Sequence, residues 1–462
     1  MNHRWSILAL LGIAQSMLII DITVLNVALP SIGDALRLDR ASLTWVATAY
    51  TLFFGSLLLL GGRLADTVGR RRTFLTGLAI FTVASLASGL APDGTTLLLS
   101  RVAQGVGAAL LSPAALSIVT TTFEGGERTR ALAVWAALSG TGAAVGVVLG
   151  GILTSGIGWP WIFFINVPIG IAVGLATWRL VPSIASSAGV RHIDLPGAVA
   201  ATGVVALLLY GLIGAGDLGW AAPQTVASFA LAAIGLAIFV WLERRARTPL
   251  ARLDLLTRRP LSGALGVTLI ATGLLAGGFF LASIYLQRVL GLTAIETGLA
   301  FLPASLTIIV GAQGAAHALG RLGPRVVGAA GLFIAALGAR LLADVSVAGD
   351  ALYEVVPGLS TMTLGIGAAL VTANTSAFLG VEESDAGMAS GAVSTTHELG
   401  FAVGVSVLST VAGSSLVDPG TGIAGFATGF MVAAIVALVG AGLAFHLLPT
   451  TRLELAGTAF AH

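Results

Sequence analysis

The sequence predicts an all-α protein that crosses a membrane many times, arranged as two groups of six helices with a further pair between them. Three observations carry that prediction. Of 462 residues, 56% are hydrophobic and only 10% charged, with a mean hydropathy of +0.98; a soluble chain of this length needs far more charge on its surface. The apolar residues come in runs of about 20, the length at which a helix spans hydrocarbon. Arginine, finally, collects in alternate connections between those runs.

Charged or Pro/Gly-rich breaks divide the chain into fourteen expected spans. The run after Arg4, 6–29, is longer than a signal-peptide core and has no small-residue cleavage site at its end, so it is expected to remain as the first span. RLDR closes it and 43–62 follows; GGRLADTVGRRR (61–72) precedes 73–92, and APDG precedes 96–122. EGGERTR (124–130) opens 131–156, and a Gly-Trp-Pro break opens 160–180. After a polar stretch come 195–214 and 223–242, then an Arg-rich linker. The remaining spans are 262–287, 296–319, 325–343, 353–379, 386–412 and 424–448.

Counted over this scheme, 18 arginines lie on the side of the N-terminus, four on the other side (Arg37, Arg40, Arg288, Arg340), and Arg101 falls inside a span. The positive-inside rule then puts both termini in the cytoplasm. GGRLADTVGRRRTFLTG (61–77) aligns weakly with AAHALGRLGPRVVGAAG (315–331), placing Gly69 over Gly323, Arg71 over Arg325 and Gly77 over Gly331. Parallel repeats of this kind mark transporters, with the substrate site between the repeats near the midplane. The expected division is 1–190, a first six-helix bundle; 191–258, the inserted pair and its linkers; and 259–462, a second bundle.

Composition also excludes. The chain has no cysteine, so disulfides and thiolate metal or redox sites are ruled out. A pI near 9.5 accompanies a net charge of only +2, and topology accounts for the arginines, so no nucleic-acid partner is expected. The Gly-rich 61–72 stretch follows a span rather than a strand and lacks Lys-Ser/Thr, which argues against a phosphate loop. No HExxH occurs, and no Ser/His/Asp set stands out; the chain is not expected to be an enzyme, nor to hold a metal or cofactor.

An ionisable group in hydrocarbon is costly and marks function. Well inside spans lie Asp21, Arg101, His397 and Glu398, with His317 and Glu296 nearer ends. At 1.5 Å per residue, Asp21 is roughly 20 Å and Glu398 roughly 18 Å from the cytoplasmic ends of their helices, and Arg101 comes within a turn or two of Asp21. A carboxyl group in low dielectric without a full partner can take and release a proton near neutral pH, whereas a neighbouring Arg favours its charged form. Glu398 is therefore the better proton carrier; a permanent ion pair or interhelical hydrogen bond is the competing reading for both acids. His397 is adjacent, about 100° away on a helix, so only one of the two need face a cavity. Asn26, Gln104 and Asn374 are further embedded polar residues and, with His397, candidates for lining a substrate cavity, although such residues more often glue helices together. Gly142, Gly146 and Gly150, four apart, bare one face of span five for close helix approach.

Several separated motifs, in order over nearly the whole chain, resemble the major facilitator superfamily, in particular its fourteen-span drug:proton antiporters. DITVLNVALPSI (21–32) is similar to that family's first-span motif; GGRLADTVGRRRT, containing Gly62, Asp66, Gly69 and Arg70, to its signature loop; RVAQGVGAALLSPA (101–114) to its fourth-span motif. GWPWIFFINVPIG (158–170) and HIDLPGAVAAT (192–202) resemble its sixth-span entrance and inserted pair. The resemblance implies two bundles alternating access to a central cavity, no cofactor beyond a proton gradient, a small-molecule substrate in a lipid bilayer, and action as a monomer. It further implies that Asp66 meets the start of span thirteen and that Asp21 and Arg101 couple protonation to the conformational change. Four departures stand out. Val147 replaces the motif Pro in GVVLGG, which ends in Gly150 and Gly151; Pro160 stands where Arg is usual; HELG (397–400) replaces Arg-Gln-Leu-Gly; and Gly320 lies opposite Asp66 in the repeat.

Overall fold

Apolar runs this long bury no charge and satisfy every backbone group internally only as helices, and helices are what the computed structural model contains. It describes residues 3–38, 40–182, 194–246, 252–347, 349–382, 385–413 and 423–450. In chain order the helices are α1 (His3–Leu36), α2 (Arg40–Val68), α3 (Arg70–Gly89), α4 (Gly94–Thr122), α5 (Gly125–Gly156), the single turn α6 (Trp161–Phe164), α7 (Asn166–Leu180), α8 (Leu195–Leu218) and α9 (Pro223–Arg245). There follow the short α10 (Leu253–Leu256), α11 (Arg259–Ile284), α12 (Ala294–Leu342), α13 (Val356–Ala377), α14 (Ala386–Ala412) and α15 (Ala424–Leu447). Among the described residues, eleven helical segments are long and apolar enough to cross a membrane, and no strand occurs.

Polar side chains punctuate the chain where helices begin. Asp93 caps α4, its carboxylate accepting from the Thr96 backbone N–H at 2.8 Å; that bond, joined by the Thr96 hydroxyl, holds the carboxyl below its ordinary range. Asp194 caps α8 through Gly197 N–H, and Thr293 with Glu296 forms a reciprocal capping box on α12.

The 61–72 stretch is not the loop its glycines suggest. The helix α2 runs through Asp66 to Val68, Gly69 alone breaks it at φ 107°, and α3 starts at Arg70. Only glycine takes that backbone without strain. Its repeat partner does the same: α12 is 49 residues long but is interrupted at Gly323, φ 77°, ahead of Pro324. The two expected spans 296–319 and 325–343 are therefore the limbs of one broken helix. Gly77 and Gly331 also play matching parts, each leaving room for the backbone of a neighbouring helix, α4 and α13 respectively.

Packing follows the small residues. On α5, Gly142 abuts Ile19 of α1, and Gly146 abuts Ile20 and Thr23, so the glycine face lies on α1; Gly150 is buried as well. Position 147, whose side chain lies outside the described residues, leaves α5 continuous. The first seven helices pack chiefly on one another, as do α11 to α15, and the sets meet along α2–α14 and α5–α12. The inserted pair is not a peripheral appendage: α8 packs on α9 and against both α2 and α14.

Candidate functional site

Four helices, α1, α3, α4 and α7, bring their embedded polar residues to one point. From α4, Arg101 Nη1 donates to Asp21 Oδ2 of α1 at 2.5 Å and to its own helix neighbour Gln104 Oε1 at 2.8 Å. Gln104 Nε2 donates to Asp21 Oδ1 at 3.1 Å and to Ser85 Oγ of α3 at 2.9 Å, while Ser88 donates to Gln104 Oε1 at 3.2 Å. Asn166, the first residue of α7, donates to Asp21 Oδ1 at 2.8 Å. Asp21 is 3% exposed, Asn166 1%, and Arg101 and Gln104 fully buried. The carboxylate thus collects three donors, one of them cationic, and the pair is neutral overall, which is how a buried charge survives in low dielectric. The guanidinium also lies over the Tyr50 ring at 4.5 Å and near Phe163 at 5.8 Å.

A second polar point lies on α14. Gly387, Gly391 and Glu398, spaced by four and seven, share one helix face, and that face runs along α2. At its start Asp66 accepts from the backbone N–H groups of Gly387 and Met388, each at 2.9 Å, an anion on a helix N-terminus. Arg63 and Arg70 are close enough to act electrostatically on the same carboxylate. Gly62 and Gly391 then let the two backbones touch, for a Cβ on Gly62 meets the Gly387 carbonyl and one on Gly391 lies 2.9 Å from the Leu58 carbonyl. Ser390 also donates to the Pro113 carbonyl of α4 at 2.9 Å. At the far end of this seam Glu398 faces Gly55, where an added Cβ meets Glu398 Cβ at 3.4 Å and Leu209 of α8 closer still. His397 Nδ1 lies 3.5 Å from Glu398 Oε1, and its ring packs on Phe401 at 4.6 Å. The Glu398 side chain is 13% exposed and that of His397 26%, so both touch open space that Asp21 does not.

The structure therefore separates the expected site residues. Asp21, Arg101 and Gln104 come together, and Gln104 belongs to this enclosed network rather than to a cavity wall, because all its amide groups are engaged within it. Asn374 turns its amide to the Leu370 carbonyl of its own helix. The side chain of Asn26 lies outside the described residues. Sequence reasoning missed Asn166, Ser85 and Tyr50. An amide in the apolar FFINVPIG run was a legible signal for the first, whereas a serine and a tyrosine inside a span are too common to single out. It also missed Arg252, which donates to Asp385 at the start of α14 at 2.8 Å and to Asp254 at 3.1 Å. Among the described residues no cluster of three or more metal-ligating side chains occurs. The groove on α9 flanked by Trp241, Arg244 and Arg245 lies apart from both polar points.

An apolar helical molecule that keeps a neutralised charge network in its interior and a second acid on a glycine-lined seam between two helix sets is built as a membrane transporter. The description "Major Facilitator Superfamily" matches residues 11–405, and the chain belongs to that superfamily, whose members are transporters rather than enzymes. It is similar to the puromycin resistance protein pur8 of Streptomyces alboniger, 38% identical over 91% of this chain and 84% of that one. It is likewise similar to the cephamycin export protein CmcT of Amycolatopsis lactamdurans, 38% identical over 87% of this chain and 83% of that one. In fold it resembles the human organic anion transporter MFSD10 (TETRAN), with a TM-score of 0.69, covering 96% of this chain and 99% of that one at 15% identity. It is a multi-pass protein of the cell membrane.

Proposed function

We propose that this chain exports amphipathic small molecules, an antibiotic or toxic cation foremost, in exchange for protons by alternating access. The observation that carries the reading is Glu398: an acid half-enclosed at the α2–α14 seam, with only His397 beside it as an ion-pair contact among the described residues. Such a group can hold a proton or stand as counter-charge to a cation. In this reading external protons load Glu398 or Asp21, substrate leaves outward, and deprotonation inside resets the cavity. The resistance and export names of the relatives support efflux. The reading divides the chain into bundles 1–190 and 259–462 around the inserted 191–258, with fourteen spans and both termini cytoplasmic. It has the protein act as a monomer with no cofactor, and it makes the Asp66 contact on α14 the lock that holds one access state.

The test is substrate-driven pH change in proteoliposomes. Glu398→Gln is expected to abolish coupled proton movement at unchanged protein yield; undiminished coupling would falsify the assignment to Glu398. A second reading, symport or export of one endogenous metabolite, draws on Val147, where the antiporter motif has Pro and α5 instead runs unbroken. Raised drug tolerance on expression favours export; increased accumulation favours symport.

A further inference from the structure

Tyr50 is the member of the buried site whose hydroxyl is left over; among the described residues only the Arg101 Nε beside it shares that state there. Its side chain is fully buried on α2, packed against Phe54 and Phe81, and its ring lies under the Arg101 guanidinium at 4.5 Å. Yet its hydroxyl has no hydrogen-bond partner among the described residues. A buried hydroxyl left unpaired is destabilising, and a phenylalanine fills the same space without that cost. The ring alone therefore does not explain a tyrosine here.

The charges around it suggest what the hydroxyl is for. Asp21 from α1, Arg101 from α4 and Glu398 from α14 all act on it electrostatically. From α3, Phe81 and the neutral Ser85 complete this side, and α8 presents the apolar Leu209 to α2 near Glu398. Tyr50 has its ring under Arg101 of one polar point and lies on α2 five residues before Gly55, the position against which Glu398 of the other point packs. Asp21 already accepts from Arg101, Gln104 and Asn166. Among the described residues Glu398 has only the 3.5 Å contact with His397 as an ion-pair partner. No hydrogen-bond donor among the described residues reaches the Glu398 carboxylate, and Tyr50 has a donor to give, strengthened by the cation on its ring.

We propose that Tyr50 is a positioning residue linking the two sites: its ring holds Arg101 against Asp21, and its hydroxyl, directly or through one water, becomes the donor that stabilises ionised Glu398. Losing a proton at Glu398 then pulls on the residue that supports the Asp21–Arg101 pair. The link supplies a physical route for coupling in the antiport reading, on which its consequence for transport rests, but its geometry stands without that reading.

Infrared pH titration of the purified full-length protein tests it without substrate, the Glu398 carboxyl signal being the part that disappears in Glu398→Gln. In Tyr50→Phe, the midpoint of that signal is expected about one pH unit to the alkaline side, a tenfold change, since one hydrogen bond to a charge is removed. 3-Fluorotyrosine at position 50, a stronger donor of the same shape, is expected to move it to the acid side. A midpoint unmoved by both overturns the proposal, and a merely structural role for Tyr50 predicts that result. Because the lost hydroxyl is unpaired, Tyr50→Phe is expected to melt no lower than wild type. Shifted midpoints in a protein that exchanges no protons sink the antiport reading and leave Tyr50's role standing; unmoved midpoints in a protein that does exchange them do the reverse.

Discussion

Asp21 and Arg101 survive in the interior because each cancels the other and nearly every remaining polar atom around them is used. Such pairs contribute little net stability but are expensive to break, since removing one partner strands a buried charge at about 3–5 kcal/mol. Asp21→Ala is therefore expected to lower the thermal midpoint of the detergent-solubilised protein sharply. Asp21→Leu combined with Arg101→Met should recover most of that loss while leaving no proton-coupled exchange. A double variant that unfolds as readily as the single one would show that the network, not the stranded charge, sets the cost. At this scale the sequence was half legible. Charged residues in apolar runs announce themselves because hydrocarbon penalises them so heavily. Asn166 carries a weaker signal, an amide in an apolar run, and Ser85 and Tyr50 carry none, as neutral polar side chains are tolerated in spans and reveal a partner only once the helices are packed.

At the scale of helices, the α2–α14 seam rests on two features of different legibility. Glycines at 62, 387 and 391 allow backbone contact, and Asp66 closes one end on the α14 N-terminus. That Asp66 meets this helix was implied by resemblance; that it does so from within α2, with only Gly69 interrupting the chain, was not. Arg252 adds a tie from the linker to Asp385 at the same helix start; with Arg252 40% exposed, that pair contributes at most about 1 kcal/mol. Asp66→Asn loses the charged half of two bonds to the helix end, roughly 1–2 kcal/mol. In a chain with no native cysteine, a thiol introduced by Thr395→Cys, one turn beyond Gly391, reports the seam directly. Asp66→Asn and Gly62→Val are each expected to speed its modification by maleimide, the valine more, because its side chain cannot coexist with the Gly387 carbonyl. Equal rates in all three proteins would mean that the seam is not held at this end.

Over the whole molecule, the inserted pair changes meaning. From sequence, 195–242 is a pair without a repeat partner and so an addition. In the structure α8 fills the wedge beside Glu398: Leu209 abuts Gly55, Ser406 of α14 donates to the Leu212 carbonyl at 2.6 Å, Trp45 stacks on Tyr210, and Trp220, just past the end of α8, donates from Nε1 to Thr410 at 2.8 Å. A helix packed on one wall of a seam and hydrogen-bonded to the other has to shift when those walls change their spacing. Trp220→Cys with Thr410→Cys, joined by a short bifunctional maleimide, is accordingly expected to arrest exchange, whereas either single variant treated alike retains it. Unimpaired exchange in the linked protein would make the pair passive after all.

By itself the sequence determined the class, the location of the apolar helices though not their ends, which run up to seven residues further, as at α1, and the short roster of residues able to carry charge through hydrocarbon. Those depend on local composition and on the bilayer's fixed thickness and intolerance of unpaired charge, which act on each segment separately. Only the tertiary structure decided which of those residues meet. It put Asp21 and Gln104 into one sealed network with Asn166, left Glu398 half-open on a seam, and set Tyr50 between them. Contacts between helices depend on rotation and depth to within a few ångströms, and these are fixed by the packing of small residues on several helices at once, which no single segment records.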